Sequence, residues 1–230
     1  MPRLLLVVLC LMPTLALAAT TATTATTGAA TAPVHDASAD PGLEVMFDTG
    51  AALPLGDLGA GLPHTPTGLG AESGYRLGGR VRYLARGGFF LSPSFTYTEF
   101  GDHDGFDDRS GKTDGFGQKF KVRAASIRYG VDLGYLSPGT PRSWRMLAAV
   151  GVAAVQQRYH EELVADETVY EASLYDLEWL ASVGVRHGAL ELALEYHGSR
   201  FRTVRFLYTG TPADYDWAYA ALRLSYALPR

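Results

Sequence analysis

Apolar and polar residues alternate along much of this chain with a period of two. The alternation recurs in eight segments, at residues 42–48, 74–83, 88–98, 125–136, 143–158, 175–187, 189–198 and 215–228. Successive side chains of a β-strand point to opposite sides, so this alternation predicts strands with two chemically different faces. The segment 189–198 (ALELALEYHG) also fits a helical spacing, but it is entered through the two-residue turn His187-Gly188 and continues the series. We therefore predict an all-β chain of eight strands.

The two faces of the predicted strands differ in charge. One face carries large aliphatic and aromatic residues, as Leu43, Val45 and Phe47 do in the first segment. The other face carries acidic residues and arginines: Glu44, Asp48, Asp132, Asp176, Glu178, Glu191, Glu195, Arg76, Arg80, Arg82, Arg128, Arg145, Arg186 and Arg223. Unpaired ions are costly in a dry core, whereas the lumen of a membrane barrel is polar. The pattern favours a barrel whose apolar face meets lipid, and a soluble lipocalin-like binder with its apolar face inward is the alternative.

The connections between the predicted strands alternate in length. Short ones, at residues 85–88, 137–143 and 187–188, alternate with long ones at residues 54–73, 101–119, 160–171 and 205–214. Short turns on one side and long loops on the other are typical of bacterial outer-membrane barrels. We therefore predict an eight-stranded antiparallel transmembrane β-barrel with periplasmic turns and four surface loops. Residues 143–158 are apolar on both sides, and the facing that we prefer places Trp144, Met146, Val150 and Val152 opposite Arg145.

The first 41 residues are predicted to lie outside the barrel domain, which we place at 42–230. Arg3, an apolar run and the small-residue triplet Ala16-Leu17-Ala18 are typical of a cleaved secretory signal peptide at 1–18. Residues 19–41 are rich in Ala and Thr and indicate a disordered linker. Acidic residues outnumber basic ones, 24 to 20, which argues against a nucleic-acid partner.

An eight-stranded barrel has an interior just wide enough for side chains to fill it. The acidic and arginine residues of the polar face balance in number. We therefore expect a network of ion pairs that plugs the lumen, which argues against a general porin.

With these features the chain resembles the small eight-stranded outer-membrane barrels, the OmpX-like, OmpA-like and opacity-type proteins, over about residues 43–228. Its end, with apolar residues at alternate positions from Ala220 to Leu228, is similar to the insertion signal of that family, although Leu228 replaces the usual aromatic residue and Pro229-Arg230 follow. The resemblance implies a monomer in the bacterial outer membrane with a structural or surface-interaction role. Its partners would be membrane lipid, lipopolysaccharide and an extracellular ligand or host surface.

Two groups of loop residues are candidates for ligand binding. Asp102, Asp104, Asp107 and Asp108 are spaced closely enough to suggest Ca²⁺, but Phe106 and Asp107 break the pattern of a calcium loop. We favour a solvated loop and predict no metal and no cofactor. The cations Lys119, Lys121 and Arg123 would lie at the outer rim, where they could contact lipopolysaccharide phosphates.

The sequence His197-Gly198-Ser199 suggests a catalytic alternative. Two residues apart on a strand, His197 and Ser199 share a face and could form a base and nucleophile pair, with Glu195 orienting the imidazole. This fragment resembles the outer-membrane lipid A deacylases, although Arg200 stands where that family has Asn. We therefore favour a non-enzymatic barrel. The alternatives are a lipid A-modifying hydrolase that uses Ser199 and His197, and a narrow channel for a small apolar solute.

Overall fold

Eight antiparallel strands make up most of the part of the chain that the structure describes. The computed structural model describes residues 42–59, 69, 71–104, 120–140, 142–163, 168–203 and 213–229. The strands are β1 Gly42–Leu55, β2 Gly74–Leu84, β3 Phe89–Asp104, β4 Phe120–Leu136, β5 Trp144–Leu163, β6 Thr168–His187, β7 Leu190–Thr203 and β8 Ala213–Ala227, and a short helix α1, Gly56–Gly59, follows β1. Each strand pairs with its neighbours in sequence, and β1 pairs with β8 to close the barrel. The predicted signal peptide and linker lie outside the described residues.

The outer surface of the barrel is apolar around its middle. We call these outward-facing residues the apolar belt, and its members include Phe47, Leu77, Phe95, Val131, Val152, Val183, Leu194 and Leu222, all exposed. On β5 the exposed residues are Trp144, Met146, Val150 and Val152, while Arg145 is buried, which is the facing preferred from the sequence. A continuous apolar exterior around a charged interior is the polarity of a barrel solvated by lipid. The predicted eight-stranded transmembrane β-barrel is confirmed.

A separate observation concerns helices. In the ranges given above, no helix is long and apolar enough to cross a membrane.

Tight turns join the strands at one end of the barrel, which we call the turn end. Between β2 and β3 the Ala85 N–H donates to the Phe89 carbonyl at 2.8 Å. Gly87 and Gly88 in this turn have φ angles of 83° and 88°, which residues with a Cβ rarely adopt. The short connections predicted after the second, fourth and sixth strands are therefore present at the turn end.

At the other end, which we call the loop end, strands β3 to β6 run further than the sequence indicated. The predicted long loop at 160–171 is wrong, because β5 and β6 stay paired through His160↔Glu171 to Leu163↔Thr168. These outer residues lie beyond the apolar belt, where neither face of the strand needs to be apolar. The alternation of apolar and polar residues therefore stops, while the backbone pairing of β5 with β6 continues. Pairing between β6 and β7 ends at Trp179↔Gly198, so the outer half of β6 is paired to β5 alone in the described residues.

The first of the predicted surface loops folds back on the barrel. The Leu69 N–H donates to the Asp57 carbonyl at 2.7 Å, and the Ala71 N–H donates to the Leu58 carbonyl at 2.8 Å. Leu58 and Leu69 are both buried. The described part of this loop therefore covers the loop end instead of extending into solvent.

Candidate functional site

The barrel interior is the candidate site, and its first layer is an apolar cluster near the turn end. The cluster, which we call the inner seal, consists of Leu84, Phe90, Leu136, Leu147, Ala149 and Ala193. The Arg82 guanidinium carbon lies 4.4 Å from the centre of the Phe90 ring. This contact joins the inner seal to the charged layer beyond it.

The charged layer contains the residues that the sequence placed on the polar face. All of them point to the interior, and all but Glu44 and Asp176 are buried. Glu191 accepts two hydrogen bonds from Arg82, at 2.8 and 3.0 Å, and a third from Arg223 at 2.8 Å. Carboxylates bonded in this way by guanidinium groups have most of their acceptor capacity filled.

A second group of ion pairs lies around Glu195. This carboxylate is paired with Arg76 and, at 2.8 Å, with the Nε of Arg223. Arg80 contacts Asp48 at 2.8 Å on the neighbouring strand. Buried ions that have lost water need partners of this kind, because a lone buried charge is strongly destabilising.

Three further arginines extend the layer toward both ends. Arg128 lies 2.8 Å from Asp132 and 3.1 Å from Glu178, near the middle of the barrel. Arg186 makes two bonds to Glu44 at 2.7 and 2.9 Å. At the turn end, the Arg145 Nε donates to the Ser137 carbonyl at 3.0 Å.

Asp176 lies near the loop end of the interior. Its Oδ2 accepts a hydrogen bond from the Arg200 backbone N–H at 2.8 Å. This bond joins β6 to β7 just beyond the point where their ladder ends.

His197 belongs to the charged layer, although the sequence suggested a catalytic role for it. Its Nδ1 lies 2.8 Å from Glu178 and its Nε2 lies 3.1 Å from Glu195. The ring also stacks on Tyr219, with 4.3 Å between centroids and 6° between planes. The sequence could have indicated that His197 belongs to the charged layer, because it shares the inward face of β7 with Glu191 and Glu195.

The base and nucleophile pair of the catalytic alternative is not formed between His197 and Ser199. The Ser199 hydroxyl accepts a hydrogen bond from Gln157 at 2.6 Å and donates to the Trp217 carbonyl at 3.4 Å. Both ring nitrogens of His197 face carboxylates, so neither is directed at Ser199 to take its proton. Glu195 does contact His197, but within an ion-pair network and not as part of a triad.

An aromatic cluster, which we call the outer seal, closes the interior near the loop end. Tyr159, Phe201, Phe100, Trp217 and Tyr219 are all buried there. Their ring centroids are 5.1 Å apart for Phe201 and Trp217, and 5.3 Å apart for Phe100 and Tyr219.

Loop residues complete the outer seal. Leu58 and Leu69 pack into the same cluster, and the Tyr159 hydroxyl donates to the Leu69 carbonyl at 3.4 Å. Sequence reasoning placed aromatic residues only on the apolar, outward face of the strands. It missed those that take inward positions near the outer ends of the strands.

The candidate rim and metal residues lie mostly outside the described part of the chain. Asp107, Asp108 and Lys119 are not described, and of Asp102, Asp104 and Lys121 only the backbone is described, in β3 and β4. Arg123 is exposed and faces outward on β4. Among side chains that the structure describes, no group of three His, Cys, Asp or Glu could hold a metal ion.

No family model matches the chain. No characterised protein matches it by sequence.

Among solved structures, Ail of Yersinia pestis, in complex with the heparin analogue sucrose octasulfate, has a TM-score of 0.47 at 12% identity, over 83% of this chain and 100% of that one. Neisserial surface protein A has a TM-score of 0.42 at 13% identity, over 80% of this chain and 96% of that one. A major outer membrane protein of Thermus thermophilus has a TM-score of 0.46 at 14% identity, over 81% of this chain and 100% of that one. The fold of the present chain follows from its own strand pairing and apolar belt.

Proposed function

We propose that this protein is a sealed, monomeric outer-membrane barrel that acts as a structural or surface-interaction protein. The turn end would face the periplasm, and the loop end would face the cell exterior. The observation that carries the proposal is the filled interior, in which two apolar clusters and a layer of ion pairs together occupy the lumen. No bound cofactor is needed for this role.

The chemistry of the three layers supports a closed lumen. A hydrated ion that entered from the loop end would first meet the outer seal, where it loses its water without gaining a charged partner. At the turn end it would meet the inner seal on one side and charged groups that already have partners, such as Arg186 with Glu44, on the other. Apart from Arg145, which donates to the Ser137 carbonyl, the arginines of the charged layer already contact carboxylates, as Arg82 and Arg223 contact Glu191. A passing ion would have to displace these partners, so the interior is better suited to fixing the barrel wall than to transport.

The extended strands at the loop end support a role at the surface. The hairpin of β5 and β6 continues beyond the apolar belt as far as Leu163↔Thr168. Strands β3 and β4 also extend, with His103 paired to Val122. A barrel with a filled lumen would act through its exposed surface. At the loop end this surface includes a sheet of the four adjacent strands β3 to β6.

Planar-bilayer recording tests the sealed lumen. The chain from residue 42 onward, refolded in detergent and shown to be folded by a heat-modifiable gel band and a β-type circular dichroism spectrum, is added to phosphatidylcholine bilayers. We expect no stepwise conductance above that of protein-free bilayers, while a general porin added to the same bilayers opens normally. Regular openings of the folded protein would overturn the proposal and favour the narrow-channel alternative.

A further inference from the structure

A polar patch interrupts the lipid-facing surface just above the apolar belt. Glu99 on β3 pairs with Ala125 on β4, which pairs with Arg158 on β5, which pairs with Ser173 on β6. These four residues form one outward-facing row across four strands. The next row toward the loop end contains Arg123, His160 and Glu171, and the next row toward the turn end contains Tyr97, Ile127, Gln156 and Tyr175.

The height of this patch matches the headgroup layer of a membrane. On β4 the rows below it carry Tyr129, Val131 and Leu133, all exposed to the hydrocarbon side. Side chains that point outward one or two rows above such a belt meet lipid headgroups, because the barrel wall there is still surrounded by the bilayer. A shallow groove lies over this patch and is lined by both arginines.

The two cations occupy the centre of the groove. Arg123 and Arg158 are exposed and stand on the neighbouring strands β4 and β5. The Arg158 guanidinium donates to the Gln156 amide oxygen at 3.4 Å. This partner is neutral, so the bond positions the guanidinium beside the barrel wall without neutralising its charge. A guanidinium carries a planar set of donors that fits the oxygens of a phosphate.

The two carboxylates of the patch lie on its flanking strands and are held by their neighbours. Glu99 on β3 accepts hydrogen bonds from the hydroxyls of Tyr75 at 2.6 Å and Tyr97 at 2.9 Å. Glu171 on β6 lies 3.0 Å from the Nδ1 of His160. The arrangement therefore places positive charge in the middle of the groove and negative charge at its two sides.

The opposite side of the barrel offers a contrast. Arg200 on β7 is also exposed and faces outward just above the apolar belt, but its cross-strand partner is Asp216 on β8. Because arginine and carboxylate face each other there, Arg200 has an opposite charge on the neighbouring strand. It serves as a matched control for a nonspecific effect of positive charge.

We propose that Arg123 and Arg158 bind a phosphate of an outer-leaflet glycolipid headgroup, with Gln156 and His160 at the sides of the site. This inference rests on the proposed membrane placement. The lipid's acyl chains would lie against the exposed residues of β4 and β5 below the groove, and its phosphate would lie between the two guanidinium groups. The barrel would thereby bind a phosphorylated lipid in one orientation at this side of its wall.

Native mass spectrometry of the refolded protein tests the site. The detergent-solubilised wild type is titrated with diphosphorylated lipid A and, separately, with lipid A from which the phosphates have been removed. We expect the phosphorylated form to bind the wild type more tightly, and the double variant R123Q/R158Q to bind it about fivefold more weakly. The control R200Q should retain the wild-type affinity.

Three results would overturn the headgroup site. They are unchanged affinity in R123Q/R158Q, equal loss in R200Q, and equal binding of the two lipid A forms by the wild type. Each result counts only for protein that is shown to be folded by a heat-modifiable band. If R123Q/R158Q does not fold, the conservative pair R123K/R158K, which keeps the charge, replaces it. We expect R123K/R158K to prefer phosphorylated lipid A over the dephosphorylated form, but less strongly than the wild type does. Failure of the membrane placement would look different, because the wild type would then fold in buffer without detergent.

Discussion

At the scale of single residues, the central feature is the number of ions held inside the barrel. Most are buried beside a partner on another strand, as Arg82 is beside Glu191, 109 residues away in sequence. The net contribution of such a pair to stability is small, since desolvation offsets attraction. Removing one partner is a different matter, because the remaining ion keeps its desolvation penalty without compensation.

The first prediction concerns Glu195. Its removal in Glu195→Ala leaves Arg76 and the Nε of Arg223 facing each other without their shared carboxylate. We expect the free energy of unfolding to fall by about 3 to 5 kcal/mol. Urea unfolding in phosphatidylcholine vesicles, followed by tryptophan fluorescence, measures the change.

Glu171→Ala is the control for this prediction. The Glu171 side chain is 74% exposed and contacts His160 at the loop end. We expect its removal to change the free energy of unfolding by less than about 1 kcal/mol. Equal effects of the two substitutions would contradict the view that burial makes the Glu195 pairs important.

At the scale of the strands, some glycines are required where neighbouring backbones approach closely. A Cβ at Gly50 on β1 would lie 2.0 Å from the Leu222 carbonyl oxygen of β8. At Gly79 on β2, by contrast, the nearest atom to such a Cβ is the Met46 carbonyl oxygen at 3.4 Å. The β1–β8 pairing closes the barrel, so a shift there disturbs the seam on which closure depends.

The second prediction compares Gly50→Ala with Gly79→Ala. Because backbone atoms must move to admit the new methyl group at position 50, we expect Gly50→Ala to lower the free energy of unfolding by about 1 to 3 kcal/mol. Gly79→Ala should be close to neutral. The temperature at which the folded band is lost on an unboiled gel reports the difference, and a Gly50→Ala protein as stable as wild type would show that the seam can relax.

At the scale of the whole molecule, the barrel is apolar outside and charged inside. Exposed residues such as Val131 and Leu133 alternate along β4 with the buried Arg128 and Asp132. The same alternation in a soluble barrel would place the apolar set in the core. The polarity therefore matches a lipid solvent, and the penalty for a charge on the outside should depend on its depth.

The third prediction uses this dependence on depth. Val131 lies in the middle of the outward apolar run of β4, whereas Leu43 lies near the turn end of β1. We expect Val131→Arg to destabilise the barrel in vesicles by about 2 to 4 kcal/mol and Leu43→Arg by about 0 to 1 kcal/mol. Unfolding titrations in the same vesicles compare them, and equal penalties would argue against a belt centred on Val131.

Local sequence patterns were enough to predict the number of strands, the facing of their residues and the short turns. These depend on local rules, since a strand has a period of two and a tight turn needs few residues. The tertiary structure alone decided which arginine meets which carboxylate, because partners such as Arg186 and Glu44 meet only when the barrel closes. It also decided the length of β5 and β6 beyond the apolar belt, where solvent on both faces removes the alternation. The outer seal formed for the same reason as the ion pairs, because Phe100, Phe201 and Leu58 come from distant parts of the chain and pack only within the closed wall.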